Sequence, residues 1–323
     1  MAVKNFACEC GGGIGNIGLP GCVKKAGLVV KDYFFNTYAN DGTRNTVKAT
    51  DFVNGVLPLS FILGKLTEAD PSKRWYATPD KYEEADPSRT DRTTQESATG
   101  TTKVLRPGQL TRSFQLWEVP HNWASKLNKA TCNEVSVFSI DESGAMIGEV
   151  NTDGSEFYGL TIQKGTLFAE AFEAKPNEDA FTLVTYQISR DAQEGCFLTI
   201  DSSEIEADMK VARSLIEVDL TQGTGPNTNT DIFINAFNQT LGTFNNFYAL
   251  QGATDTADWK VYTSAGTSGT EITVTGVEEV SKGRYKISLA PDAATTVFVS
   301  FAKVKTTLNG LGFVADQLQV TKP

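Results

Sequence analysis

Residues 67–111 constrain the fold of this chain more than any other stretch: TEADPSKRWYATPDKYEEADPSRTDRTTQESATGTTKVLRPGQLT. The segment is too polar to fill a core. Its Thr, Tyr, Trp and Val nevertheless favour extended backbone. Asp86-Pro87, Gly100 and Pro107-Gly108 break any helix. The pattern predicts a long polar hairpin with arms at 73–84 and 93–105. Such arms have few side chains for a buried face, so they need a second surface to pack on, and a neighbouring subunit supplies one. The candidate interface residues are Trp75, Tyr76, Tyr82, Thr93, Thr101, Val104 and Leu105.

The remainder of the chain reads as mainly β. Residues 1–27 are rich in Gly and Cys and lack periodicity, which suits an extended arm. LVVKDYFF and VLPLSFILG follow, read as strands with a short helical turn near Ile62 to Leu66. TRSFQLWEV alternates, with Phe114 and Leu116 on one face and Gln115 and Trp117 on the other. In PHNWASKLNKA, Trp123 and Leu127 stand at i and i+4 after a proline, which predicts one short helix. EVSVFSID and AMIGEV flank Glu142-Ser143-Gly144 as a hairpin. A second strand pair is expected over 159–173 and 179–190, and CFLTIDSSEIEADM completes the layer.

QGTGPNTNT, at 222–230, reads as a linker. It divides a β domain over 28–222 from a domain over 223–323. In the second domain WKVYT, EITVTGVEEV, GRYKISL, TVFVSFAKV and FVADQLQVT recur at the spacing of an immunoglobulin-like sandwich. No apolar run reaches the length of a membrane-spanning helix, and the N-terminus lacks the apolar run of a signal peptide.

Motifs for chemistry are weak. Gly13-Ile14-Gly15-Asn16-Ile17-Gly18 matches a dinucleotide fingerprint in letters. Leu19-Pro20-Gly21 then prevents the helix whose N-terminal amides would meet a pyrophosphate. His121 is the single histidine and no G-x-S-x-G is present, so no hydrolytic triad is readable. Asp201, Glu204, Glu206 and Asp208 form an acidic run, which is more often solvated than paired for glycoside hydrolysis. Cys8, Cys10 and Cys22 cluster without a fourth zinc ligand nearby, while Cys132 and Cys196 read as small buried apolar residues. No catalytic residue, cofactor or metal is expected. Trp259 with Tyr262 is the best candidate for stacking on a sugar.

The net charge of −10 disfavours phosphate-neutralising nucleic-acid binding. Residues 224–323 hold eight acids and seven bases, leaving −9 on the rest of the chain. A surface of that sign lets DNA pass without sticking.

RWYATPDKYEEADPSRTDRTTQESATGTTKVLRPGQLTRSFQLWEV, then the short helix and NEVSVFSIDESGAMIGEV, resembles the tail-tube protein family of tailed bacteriophages. The resemblance covers about residues 28–220 and lies in the order of elements rather than in an invariant motif. It implies a β-sandwich or small barrel with one flanking helix and a long hairpin. Such subunits build stacked, sixfold rings that conduct DNA, touch other tail proteins and involve no membrane. The place of action would be the virion tail, assembled in the host cytoplasm. The last domain is similar to immunoglobulin-like modules appended to phage tail and capsid proteins. The alternatives are a tail or capsid decoration or adhesion module binding surface carbohydrate, and another ring or connector protein of the virion.

Overall fold

A computed structural model describes residues 27–323, apart from 90–92, 97–101, 107, 118, 120, 152, 177–178, 190–196, 239–248, 267–268 and 304–305. For 81–89, 93, 95, 102–106, 121–122 and 197 it gives the backbone course alone. The chain is mainly β and of the sandwich or barrel class. It divides into two compact units at Arg213/Ser214.

The first unit contains β1 (Val29–Asn36), β2 (Thr46–Lys48), α1 (Leu59–Leu66), β3 (Tyr76–Ala77), β4 (Lys81–Arg89), β5 (Thr93–Glu96), β6 (Thr102–Arg106), β7 (Leu110–Trp117) and α2 (His121–Asn128). It continues with β8 (Val135–Asp141), β9 (Met146–Val150), β10 (Glu156–Tyr158), β11 (Leu160–Thr161), β12 (Phe168–Phe172), β13 (Phe181–Gln187) and β14 (Phe197–Ile200). One sheet runs β2-β10-β9-β8-β1-β3, with β11 on β8 and β14 on β9. A second runs β12-β13-β7-β4, and β5-β6 form a separate two-stranded ribbon. Among the described residues there are two α-helices in this unit where the sequence suggested one, because 59–66 continues as helix rather than strand.

The first sheet is buried on both faces. Phe34, Val135 and Val137 face the second sheet, where they meet Phe114, Leu116, Val184 and Tyr186. Tyr33, Phe35 and Phe138 face the other way, onto Trp75. Phe61 of α1 completes that ring of aromatics at 6.0 Å from Trp75. The turn between β8 and β9 falls at the expected place, and Gly144 takes φ +84° there, a left-handed conformation that glycine adopts without a Cβ penalty.

The expected hairpin is redrawn. Residues 67–80 wrap onto the body of the unit rather than forming an arm. Trp75 is 1% exposed, and Ser72, Arg74 and Thr78 are buried beside it. Their polarity is absorbed by backbone partners. Arg74 Nε donates to Glu68 O at 2.6 Å, the Asn45 amide donates to Ser72 O at 2.8 Å, and Thr78 N donates to Asp32 O at 2.8 Å. The first arm is β4, which pairs with β7, and the expected second arm itself folds back as β5-β6.

The second unit contains β15 (Ile216–Gln222), β16 (Asp231–Phe237), β17 (Trp259–Tyr262), β18 (Glu271–Ile272), β19 (Val274–Ser281), β20 (Arg284–Leu289), β21 (Thr296–Lys303), β22 (Phe313–Ala315) and β23 (Leu318–Thr321). One layer is β15-β16-β20-β19 and the other β18-β17-β21-β23, with β22 joining β21 to β15. The β15–β22 pairing is parallel and the others are antiparallel. This is the A-B-E-D and C-F-G order of an immunoglobulin-like sandwich, with a tryptophan buried on the third strand. The expected linker at 222–230 lies inside this unit, as the connection from β15 to β16. Asn227 ties it down, accepting from Phe233 N at 3.1 Å and donating to Thr321 O at 3.2 Å. Its composition is that of an ordered turn, and the boundary between units lies earlier.

Candidate functional site

The second sheet of the first unit is the most informative surface. Alternation on β7 and β13 turns Arg112, Phe114, Leu116, Thr182, Val184 and Tyr186 inward. Register then places three rows on the opposite face. Phe172, Phe181 and Trp117 form one; Glu170, Leu183 and Gln115 the next; Phe168, Thr185 and Ser113 the third. Phe172 and Phe181 stack with ring centroids 4.9 Å apart and 17° between planes. Phe168 is 49% exposed and Phe172 36%, two large apolar side chains on one face of one strand.

Both edges of this sheet discourage pairing with a further strand. Beside β12, the Asn128 amide donates to Ala169 O at 2.9 Å and accepts from Ala169 N at 2.8 Å. Thr131 Oγ1 donates to Leu167 O at 2.7 Å. These side chains occupy backbone groups that an added strand would need. On the other side, β4 departs from regular register between Lys81 and Glu83 and again between Ala85 and Ser88, and it contains Pro87. Irregularities and a missing N–H are the other common protections of an edge.

The two sheets are pinned by a buried polar chain. Arg112 Nη1 donates to Ser139 Oγ at 2.5 Å, Ser139 donates to Asp32 Oδ1 at 2.8 Å, and Tyr186 donates to Asp32 Oδ2 at 2.9 Å. Burial, with the Asp32 charge next, pushes the Tyr186 phenol well above its ordinary pKa, so it remains a donor. On the other face of β1, Lys31 donates to Asp80 Oδ1 at 2.9 Å and to Lys210 O at 2.8 Å. Burial lowers the Lys31 ammonium's pKa, against the opposing pull of Asp80. These groups are tied into the frame of the unit, and three carboxylates of the acidic run also hold structural turns. Glu206 accepts from Leu59 N at 2.7 Å at the start of α1, where Pro58 cannot cap. Asp201 and Asp208 accept from Ser203 N and Lys210 N, each at 3.0 Å.

The candidate interface residues are dispersed. Trp75 is core and unavailable to a partner, because four aromatic neighbours enclose it. Tyr76 is 38% exposed, with its hydroxyl on Pro71 O at 3.2 Å. Tyr82 falls on β4, Thr93 on β5, and Val104 and Leu105 on β6; their side chains, like the whole of Thr101, lie outside the described residues. Cys8, Cys10, Cys22 and Cys196 lie outside them too. Cys132 is an exposed thiol rather than a buried one, because it ends a 3-10 turn after α2 instead of entering a strand. Among the described residues no cluster of metal-ligating side chains occurs. The expected sugar platform is overturned: Trp259 is 1% exposed, packs on Tyr285 and Phe301, and donates from its indole to Ala253 O at 2.8 Å. Tyr262 alone remains half-buried on that strand. The aromatic row over β12 and β13 went unrecognised in the sequence, because its members come from three strands and meet only through register.

No family model, curated protein or solved structure compared with the chain gave a match.

Proposed function

We propose that this chain is a structural subunit that assembles with copies of itself, as a ring-forming virion protein of the tail-tube kind. The observation that carries this reading is the β5-β6 ribbon, which pairs with no other strand among the described residues. A two-stranded ribbon is marginal by itself in water and gains stability by packing on another surface. The mainly β, sandwich-type body is compatible with a wall built from sheets, and the −10 net charge suits a conduit that passes DNA without holding it. In this reading the chain acts in the virion tail after assembly in the host cytoplasm, and other tail proteins are its further partners.

Replacing residues 93–106 by a short Gly-Ser turn tests the reading. The cut leaves β4, β7 and the Lys31–Asp80 pair in place. The expected result is a folded monomer, while the parent protein forms rings or tubes about 100 Å wide in electron micrographs, the scale of sheets packed around a lumen. Unchanged assembly of the shortened chain, or a parent that stays monomeric at high concentration, refutes it.

A further inference from the structure

We infer that Asn54 is a site of spontaneous covalent modification, in which Gly55 N displaces the side-chain amide of Asn54 and leaves an aspartyl or isoaspartyl residue. The inference is independent of the self-assembly proposed above. The step needs a backbone nitrogen that can approach the asparagine Cγ, and a following glycine, without a Cβ, obstructs that approach least. Asn54-Gly55 and Asn309-Gly310 are the two Asn-Gly steps of the chain. Asp41-Gly42 and Asp153-Gly154 are its Asp-Gly steps, which can form the same cyclic imide.

Hydrogen bonding separates these four glycines. Gly42 N donates to Ala39 O at 2.9 Å, Gly154 N to Asn151 O at 3.0 Å and Gly310 N to Thr307 O at 3.1 Å. Each of those bonds must break before the nitrogen can lose its proton and attack. Gly55 N donates to no group among the described residues. Asn54 and Gly55 are the central residues of a tight turn, at φ +54° and +83°, a conformation that Asn-Gly suits. Two hydrogen bonds close the turn, Val53 N to Val56 O at 2.9 Å and Val56 N to Val53 O at 3.0 Å. Val53 is 60% exposed and Asn54 is exposed beside it. The rotation that brings Gly55 N against Cγ therefore opens one surface turn, a local event of low cost. Asn309 is exposed as well, so exposure does not distinguish the two steps.

In the reaction Gly55 N gives its proton to solvent base and bonds to Asn54 Cγ, and ammonia leaves. Water then adds at either carbonyl of the cyclic imide and opens it. Nothing is oxidised or reduced: amide and water become acid and ammonia. Each event makes the net charge of −10 one unit more negative. The isoaspartyl product adds a main-chain carbon inside a two-residue turn, so the Val53–Val56 pairing should be lost in it.

Ageing the full chain at mildly alkaline pH, both folded and in urea, tests this by peptide mass spectrometry, with chromatography to separate the aspartyl and isoaspartyl forms. In urea the two Asn-Gly steps share their chemistry and should convert at similar rates. In the folded chain Asn54 should convert at least about fivefold faster than Asn309, the factor that one hydrogen bond of ordinary net strength contributes. N54Q, whose longer side chain closes the corresponding ring poorly, should lose the main acidic form that the aged parent shows on isoelectric focusing. The parent's own peptides give the answer should that variant fail to fold. Equal or faster conversion at Asn309 in the folded chain overturns the inference. So does an Asn54 that stays intact in the folded chain while converting in urea, or a folded N54Q chain that acidifies as fast as the parent.

Discussion

Each unit encloses a tryptophan at 1% exposure, Trp75 in the first and Trp259 in the second, but the cores around them differ in chemistry. The second unit's core is a conventional sandwich filling of Ile, Val, Leu, Phe, Trp and Tyr. Its two large polar tips are met by backbone: the Trp259 indole by Ala253 O, and the Tyr285 hydroxyl by Leu250 O at 2.8 Å. In the first unit Lys31, Asp32, Arg112 and Ser139 are buried among the apolar residues. Apolar packing is permissive, since many side chains of suitable volume fill the same space. A buried charge tolerates few arrangements, because an unpartnered one is expensive. The first unit therefore fixes the placement of its two sheets by polar contacts, and the second fixes its layers by shape.

Substitutions in each core sharpen that contrast. The largest effect is expected from Trp259→Ala, at about 3–5 kcal/mol, the usual cost of emptying a buried aromatic site. Hydrogen exchange should show the lost protection in β16, β17, β20 and β21, around the cavity. Asp32→Asn is nearly isosteric and removes no volume, yet it should cost about 1–3 kcal/mol, because the carboxylate accepts from both Ser139 and Tyr186 with its two oxygens and an amide keeps only one acceptor. Denaturant unfolding of the two variants distinguishes the cases: if Asp32→Asn is as mild as a neutral swap, the polar chain does not pin the sheets. The smallest effect is expected on the alkaline side. Burial raises the Tyr285 phenol from 10.0 to about 12. The unfolded chain then loses that proton first, so the contribution is intact below pH 10.0 and lost as pH rises toward about 12. Tyr285→Phe should remove this step from the pH profile of the second unit without altering its neutral-pH fold.

Alternating patterns made much of the β structure legible. The strand from Leu110 to Trp117, the β8–β9 hairpin and the helix beginning at His121 all stand where local pattern puts them. So do the strands at Trp259–Tyr262, Arg284–Leu289 and Thr296–Lys303, which carry a period-two alternation, while the expected strands over 271–280 and 313–321 each divide in two. Local polarity misled at 67–80 and 222–230. Both segments are rich in turn and polar residues, and both are held by hydrogen bonds to distant backbone that no local window contains.

The sequence by itself determined the class of the fold, the five extended segments after residue 259, and the extended backbone of the polar stretch over 81–89 and 93–106. Alternation, turn chemistry and composition act over a few neighbours, and these features need nothing more. Tertiary structure alone decided that Trp75 and Trp259 are core, that the units divide at Arg213/Ser214, and that Phe168, Phe172 and Phe181 share an exposed face. Each of these depends on which strands lie side by side and in what register, and a shift of one residue would send every side chain of a strand to the opposite face.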